Sequence, residues 1–187
     1  MVATMAKSEA ADLKIALDLD STLAGTALVA LDLINGRGHP YSYDDIQSWS
    51  WGLDVFGPET YLSGLWHAWT LRPFDIQPLE EDISEKVWQL WDFGTVDIVT
   101  AQPDHPGISD GKQEWLEWHD IPHDEFVTIP PNETKADLAY DWYIDDKPYL
   151  PEHIDEHTQT VWLYDQPYNR DAAGWYTRVQ SLEEVGQ

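Results

Sequence analysis

The stretch Leu13-Lys14-Ile15-Ala16-Leu17-Asp18-Leu19-Asp20-Ser21-Thr22 decides the fold. A short apolar run over Leu13–Leu17 stops abruptly at an acid, the pattern of a buried strand with polar groups at its carboxyl end. A helical stripe follows, with Leu23, Ala27, Ala30, Leu31 and Ile34 on one face and Gly36 and Gly38 ending it. The same rhythm returns from Thr95. Strands are expected over 96–99, Phe126–Ile129, 142–144 and Thr160–Tyr164, with helices over 109–119 and 135–140 between them. Strands alternating with helices predict an α/β fold with a parallel sheet of about five strands and right-handed crossovers.

Residues 39–93 break that rhythm. Ser42 is placed to cap a helical turn through Asp44, Asp45 and Ile46. Pro58 suits the first turn of a helix with Leu62, Leu65, Trp66 and Trp69 on one face. Pro78 opens another, with Leu79, Ile83, Val87, Leu90 and Trp91 at spacings of three and four. No strand pattern interrupts this stretch, so it reads as a helical insertion after the first strand. The expected division is an arm over 1–12, a core over 13–35 and 94–187, and a cap over 36–93.

Length gives one domain with room for a real core: 187 residues. Thirty-five acids face ten bases, a formal charge of −25 spread along the whole chain. Self-repulsion of that size opposes compaction in dilute buffer and is screened by salt. The pattern predicts a protein of a high-salt cytoplasm, from an extreme halophile or its virus. A nucleic-acid mimic is the rival, but it needs regular stripes of charge that are not seen here. With no basic patch, long nucleic acid is not an expected partner. There is no cysteine, which removes disulfides and thiolate chemistry. No apolar stretch is long enough for a membrane span or a secretory signal.

Ligands of open α/β sheets bind at the carboxyl ends of the strands. There the sequence places Asp18 and Asp20, then Thr100, then Asp145 and Asp146, with Lys135 ten positions before Asp145. Asp18 and Asp145 are hard oxygen donors suited to Mg2+. A carboxylate can attack phosphorus, and a second acid such as Asp20 can protonate the leaving oxygen and then activate water. A Thr hydroxyl and a Lys ammonium suit phosphoryl oxygens. Each residue alone is unremarkable in so acidic a chain; the order, each after an apolar run, is what carries the argument.

At these residues the sequence resembles the haloacid dehalogenase superfamily of phosphotransferases. Asp18-Leu19-Asp20-Ser21-Thr22 is similar to its first motif, Thr100 to its second, Lys135 to its third and Asp145-Asp146 to its fourth. The resemblance implies a Rossmann-like core with a small helical C1-type cap inserted after the first motif. It makes Asp18 the nucleophile and a metal ligand. Asp20 is the general acid/base, its backbone carbonyl also meeting the metal. Thr100 and Lys135 clamp phosphate. Asp145 and Asp146 serve the Mg2+ shell, and which of the two binds directly stays open. Trp142-Tyr143-Ile144-Asp145-Asp146-Lys147-Pro148 and Asp165-Gln166-Pro167-Tyr168-Asn169-Arg170 resemble the 5′(3′)-deoxyribonucleotidase group more narrowly.

The implied function is a Mg2+-dependent phosphomonoesterase of (deoxy)nucleoside monophosphates working through an aspartyl-phosphate. The alternatives are a phosphatase of another small metabolite or of a polynucleotide 3′-end, and a non-catalytic acidic binding protein. The expected partner is a small-molecule phosphate ester, with a homodimer left open. Of the eleven tryptophans, Trp69, Trp88 and Trp91 lie near apolar stripes and are expected in the core. Trp49, Trp51 and Phe56 sit in a loop-like stretch and are the candidates for stacking on a nucleobase. The pairs His119/His123 and His153/His157 lack a third ligand and are expected at the surface.

Overall fold

In the computed structural model, residues 13–36 and 40–187 are described. The expected arm over 1–12 and Gly38 lie outside them. Six strands form one parallel sheet: β1 (Leu13–Leu17), β2 (Gly94–Ala101), β3 (Phe126–Ile129), β4 (Trp142–Asp145), β5 (Thr160–Tyr164) and β6 (Thr177–Val179). Their order is β3-β2-β1-β4-β5-β6. The sheet therefore has one strand more than the sequence predicts. Thr177–Val179 is three residues long with Arg178 at its centre, too short to show a period.

The pleat sorts the apolar side chains onto two faces. Ile15, Leu17, Val96, Ile98, Ile144, Trp162 and Tyr164 join one buried cluster; Ala16, Val99, Tyr143, Val161 and Leu163 join the other. The first face carries the helices: α1 (Thr26–Asn35), α3 (Pro58–Leu71), α4 (Ile83–Leu90) and α5 (Pro106–Trp118), with the short α2 (Trp51–Phe56) beside α3. Their Val29, Ala68, Trp69, Val87, Leu90 and Trp115 complete the cluster. The second face is covered thinly, by Leu138, Ile154, Tyr176 and their neighbours in loops and 3-10 turns. The helix expected over 135–140 is one such turn, Lys135–Asp137. The chain leaves that turn at Leu138, which is extended at φ −86° and ψ 147°.

Three further expectations are corrected. The third insertion helix begins at Ile83, not Pro78. Pro78 instead bridges Ala24, the Leu79 N–H donates to the Leu23 carbonyl at 2.8 Å, and Asp82 turns the chain at φ 55°. The loop-like stretch near Trp51 is helical over Trp51–Phe56. Trp69 is buried as expected, whereas Trp88 is 57% exposed.

Helix α3 crosses α1 and α5 at backbone contact. A Cβ at Gly111 on α5 would stand 2.0 Å from the Trp69 carbonyl oxygen. That approach sets the distance between the insertion and the sheet-covering helix. Gly111→Ala should therefore destabilise the protein by ~1–3 kcal/mol through overpacking, although alanine is the better helix former by about 1 kcal/mol. Denaturant unfolding in high salt reads it, and an unchanged midpoint would show that α3 shifts freely.

Candidate active site

The strand order reverses direction at β1 and β4, where an open parallel sheet forms its crevice. Leu17 pairs with Ile144, so the next residues, Asp18 and Asp145, emerge side by side. The Asp18 N–H donates to the Ile144 carbonyl at 2.9 Å and continues the ladder one residue beyond β1. Asp146 follows, and the three acids are 6%, 2% and 3% exposed respectively. One carboxylate oxygen of each lies within 4.8 Å of the others.

Crowded buried acids repel, and Lys135 is the cation within reach. Its Nζ donates to Asp18 Oδ1 and, at 2.6 Å, to Asp145 Oδ2. Burial alone would lower the Lys135 pKa, but Asp145 and Asp18 outweigh it and raise it. One ammonium does not neutralise three carboxylates. Burial, with Asp145 and Asp20 nearby, still pushes Asp18 up to about 6 against the opposing Lys135. Burial, with Asp18 and Asp145, drives Asp146 well above its ordinary value. A compact set of hard oxygen donors with excess negative charge fits a divalent cation of the Mg2+ type.

Asp20 stands in a different field. Lys112 donates to its Oδ2 at 2.6 Å, Thr26 and Trp69 donate to its Oδ1 at 2.7 and 2.8 Å, and Thr100 donates to Oδ2 at 3.3 Å. Burial pushes its pKa up, but Lys112 and these donors overcome that and hold the carboxyl below its usual range. Lys112 also donates to Thr100 Oγ1 at 2.7 Å, tying the β2 end to the same cluster.

Asp18, Asp20, Thr100, Lys135, Asp145 and Asp146 all line one cavity of about 470 Å³. Its upper wall is apolar: Ile46, Leu53, Leu62, Leu65 and Trp66 from the insertion, with Ile108 and Ile129 opposite. The apolar face of α3 thus turns mostly toward this space, with Leu62, Leu65, Trp66 and Trp69 all lining it. Trp49 lines the cavity. Trp51 and Phe56 are not among the lining residues; both pack edge-on against Tyr41. The residue missed from sequence is Lys112, which is 1% exposed. Its signal was present: it occupies the apolar stripe of α5 between Ile108 and Trp115, where a solvated lysine has no place.

The raised carboxyls predict competition between protons and metal. Burial raises Asp18, so it holds more of its proton at pH 6 than at pH 8, and Mg2+ binding should displace more protons at pH 6. Calorimetry in buffers of different ionisation enthalpy reads the number released. Equal release at both pH values would contradict the raised Asp18.

No protein-family model and no curated protein matches the chain. Solved structures do. A haloacid dehalogenase-like hydrolase from Burkholderia xenovorans LB400 superposes with a TM-score of 0.62 at 13% identity, over 94% of this chain and 95% of its own. A predicted phosphatase from Clostridium acetobutylicum gives 0.58 at 13% identity, over 91% and 95%. The HAD-hydrolase YfnB from Bacillus subtilis, solved bound to magnesium, gives 0.53 at 12% identity, over 94% and 97%. The sheet order and these superpositions over nearly whole chains give this protein the haloacid dehalogenase-like fold.

Proposed function

We propose that the protein is a Mg2+-dependent phosphomonoesterase acting through Asp18, with (deoxy)nucleoside monophosphates as its foremost substrates. The observation that carries this reading is the gathering of a buried acid triad, its lysine and a second, separately held acid at one cavity. Asp18 lies within a buried acid triad braced by Lys135, while Asp20 is held charged by Lys112 at the same cavity.

Bound at Asp18, Asp145 and Asp146, Mg2+ would supply positive charge against the phosphoryl oxygens. Lys135 keeps the Asp18 carboxylate oriented, and Thr22 Oγ1 approaches its second oxygen at 3.4 Å. Asp18 attacks phosphorus, the ester P–O bond breaks, and Asp20 protonates the departing oxygen. Lys112 keeps Asp20 ionised at rest, so that proton arrives with the monoanionic form of the substrate phosphate. Asp20 then takes a proton from water, which attacks phosphorus and restores Asp18, and the proton passes from Asp20 to the departing phosphate, which leaves as the monoanion with Asp20 ionised again.

The apolar wall supports a leaving group with a flat or apolar body, and the cavity volume falls in the range of small-molecule sites. Trp49 is the aromatic candidate for stacking. A charge mimic needs its acids at the surface, whereas the acid triad here is buried. The spread of −25 along the chain supports a high-salt setting.

Phosphate release in molar KCl with Mg2+, across 5′- and 3′-(deoxy)nucleoside monophosphates and common sugar phosphates, tests the reading. Release from nucleotides, lost with chelator, is expected. Release only from sugar phosphates would keep the chemistry and discard the nucleotidase. Asp18→Asn should abolish turnover in a folded protein; retained turnover would remove Asp18 as nucleophile. Lowering KCl to tens of millimolar should unfold the protein cooperatively, and unchanged circular dichroism would remove the high-salt reading.

A further inference from the structure

The run Gln166-Pro167-Tyr168-Asn169 is unused by the chemistry above, yet three of its side chains reach the two loops that carry the acids. Gln166 Nε2 donates to the Ser21 carbonyl at 2.8 Å, on the turn between Asp20 and Ala24, where Ser21 takes φ 63°. Asn169 Nδ2 donates to the Asp146 carbonyl at 2.8 Å and to the Tyr164 carbonyl at 2.7 Å. The Tyr168 hydroxyl donates to Asp146 Oδ2. The run is itself pinned: Arg178 on β6 donates to Asn169 Oδ1 at 2.8 Å and pairs with Asp165 at 2.6 Å. Such a rigid frame, ending on a carboxylate, fixes where that carboxylate's other oxygen lies.

The frame also touches the insertion. Trp49 packs edge-on against the Tyr168 ring at 5.7 Å and against Tyr149 at 6.5 Å. Trp49 belongs to the stretch before α2, while Tyr149 and Tyr168 follow β4 and β5. A continuous line of contacts therefore runs from the insertion through the Tyr168 ring to Asp146.

Resting on the reading of the acid triad as a Mg2+ site, we infer that Tyr168 is a positioning residue that sets the Asp146 carboxylate for the metal, with Trp49 buttressing it from the insertion. The phenol occupies one oxygen of Asp146 and leaves the other for the cation. Outer-shell partners of this kind orient ligands, and losing one costs about 10–100-fold in metal affinity or activity. The position of the insertion is thereby felt at the metal, through Trp49.

The test is Mg2+ affinity by calorimetry on the whole chain in molar KCl, with thermal melts alongside. Tyr168→Phe should weaken binding by about 10–100-fold while the protein stays folded. Trp49→Ala, at a 41% exposed site, should weaken it in the same direction by a smaller factor. Tyr164→Phe is the matched control. It removes a phenol–carboxylate bond, to Glu80 Oε1 at 3.0 Å, away from the triad, and should lower the melting temperature without changing Mg2+ affinity. Wild-type affinity in folded Tyr168→Phe overturns the inference and leaves the phosphatase reading standing. If Tyr168→Phe does not fold, unchanged affinity in Trp49→Ala overturns it. No Mg2+ binding by the unaltered chain overturns the metal reading and the inference together.

Discussion

The ammonium of Lys135 between Asp18 and Asp145 is the contact on which the site depends. Parallel pairing of β1 with β4 brings two acids out at neighbouring strand ends, and a third follows at Asp146. Unpaired, three buried carboxylates would protonate or pull the strand ends apart. Lys135 reaches them because Thr134 caps its 3-10 turn, Thr134 Oγ1 accepting from the Ala136 N–H at 3.3 Å. That turn lies on the thinly covered face of the sheet.

The site then separates two acids that sequence alone makes look equivalent. Asp18 shares its cation with Asp145 and stays short of positive charge. Asp20 has Lys112 and three further donors. The difference comes from α5, which delivers Lys112, and α3, which delivers the Trp69 indole. Both helices meet at the Gly111 contact with the Trp69 backbone, so the packing that closes the core also places the donors that keep Asp20 charged.

Much of this was legible in the sequence. Leu13–Leu17 and Thr160–Tyr164 match their strands end to end, because a buried parallel strand is an uninterrupted apolar run that stops at a polar residue. Asp18, Asp20, Thr100, Asp145 and Asp146 were legible for the same reason, standing at or just past the points where such runs stop, and Lys135 by its spacing before Asp145. Lys112 was not read because it lies on a helix, away from any strand end, and only its tertiary partners give it a role. On α3, periodicity reports an apolar face and not what lies opposite it. Leu62, Leu65 and Trp66 face a cavity. Pro78 misled because proline suits a bridging extended segment as well as a first helical turn.

The placement of the few cations follows from the excess of acids. With ten basic residues against thirty-five acids, the surface negative charge is left largely to ions in solvent. Dissolved cations screen exposed carboxylates but fix no geometry between chain segments. Lys112 and Lys135 are buried. Arg178 fixes the loop after β5, and Lys86 ties α4 to Glu80, which also accepts from Leu182 near the C-terminus. Each of these four holds separate segments of chain together at a point where a mobile ion would supply charge but no geometry. In a chain this acidic, a lysine or arginine in an apolar stripe is therefore a pointer to structure or chemistry that the acids, being everywhere, cannot give.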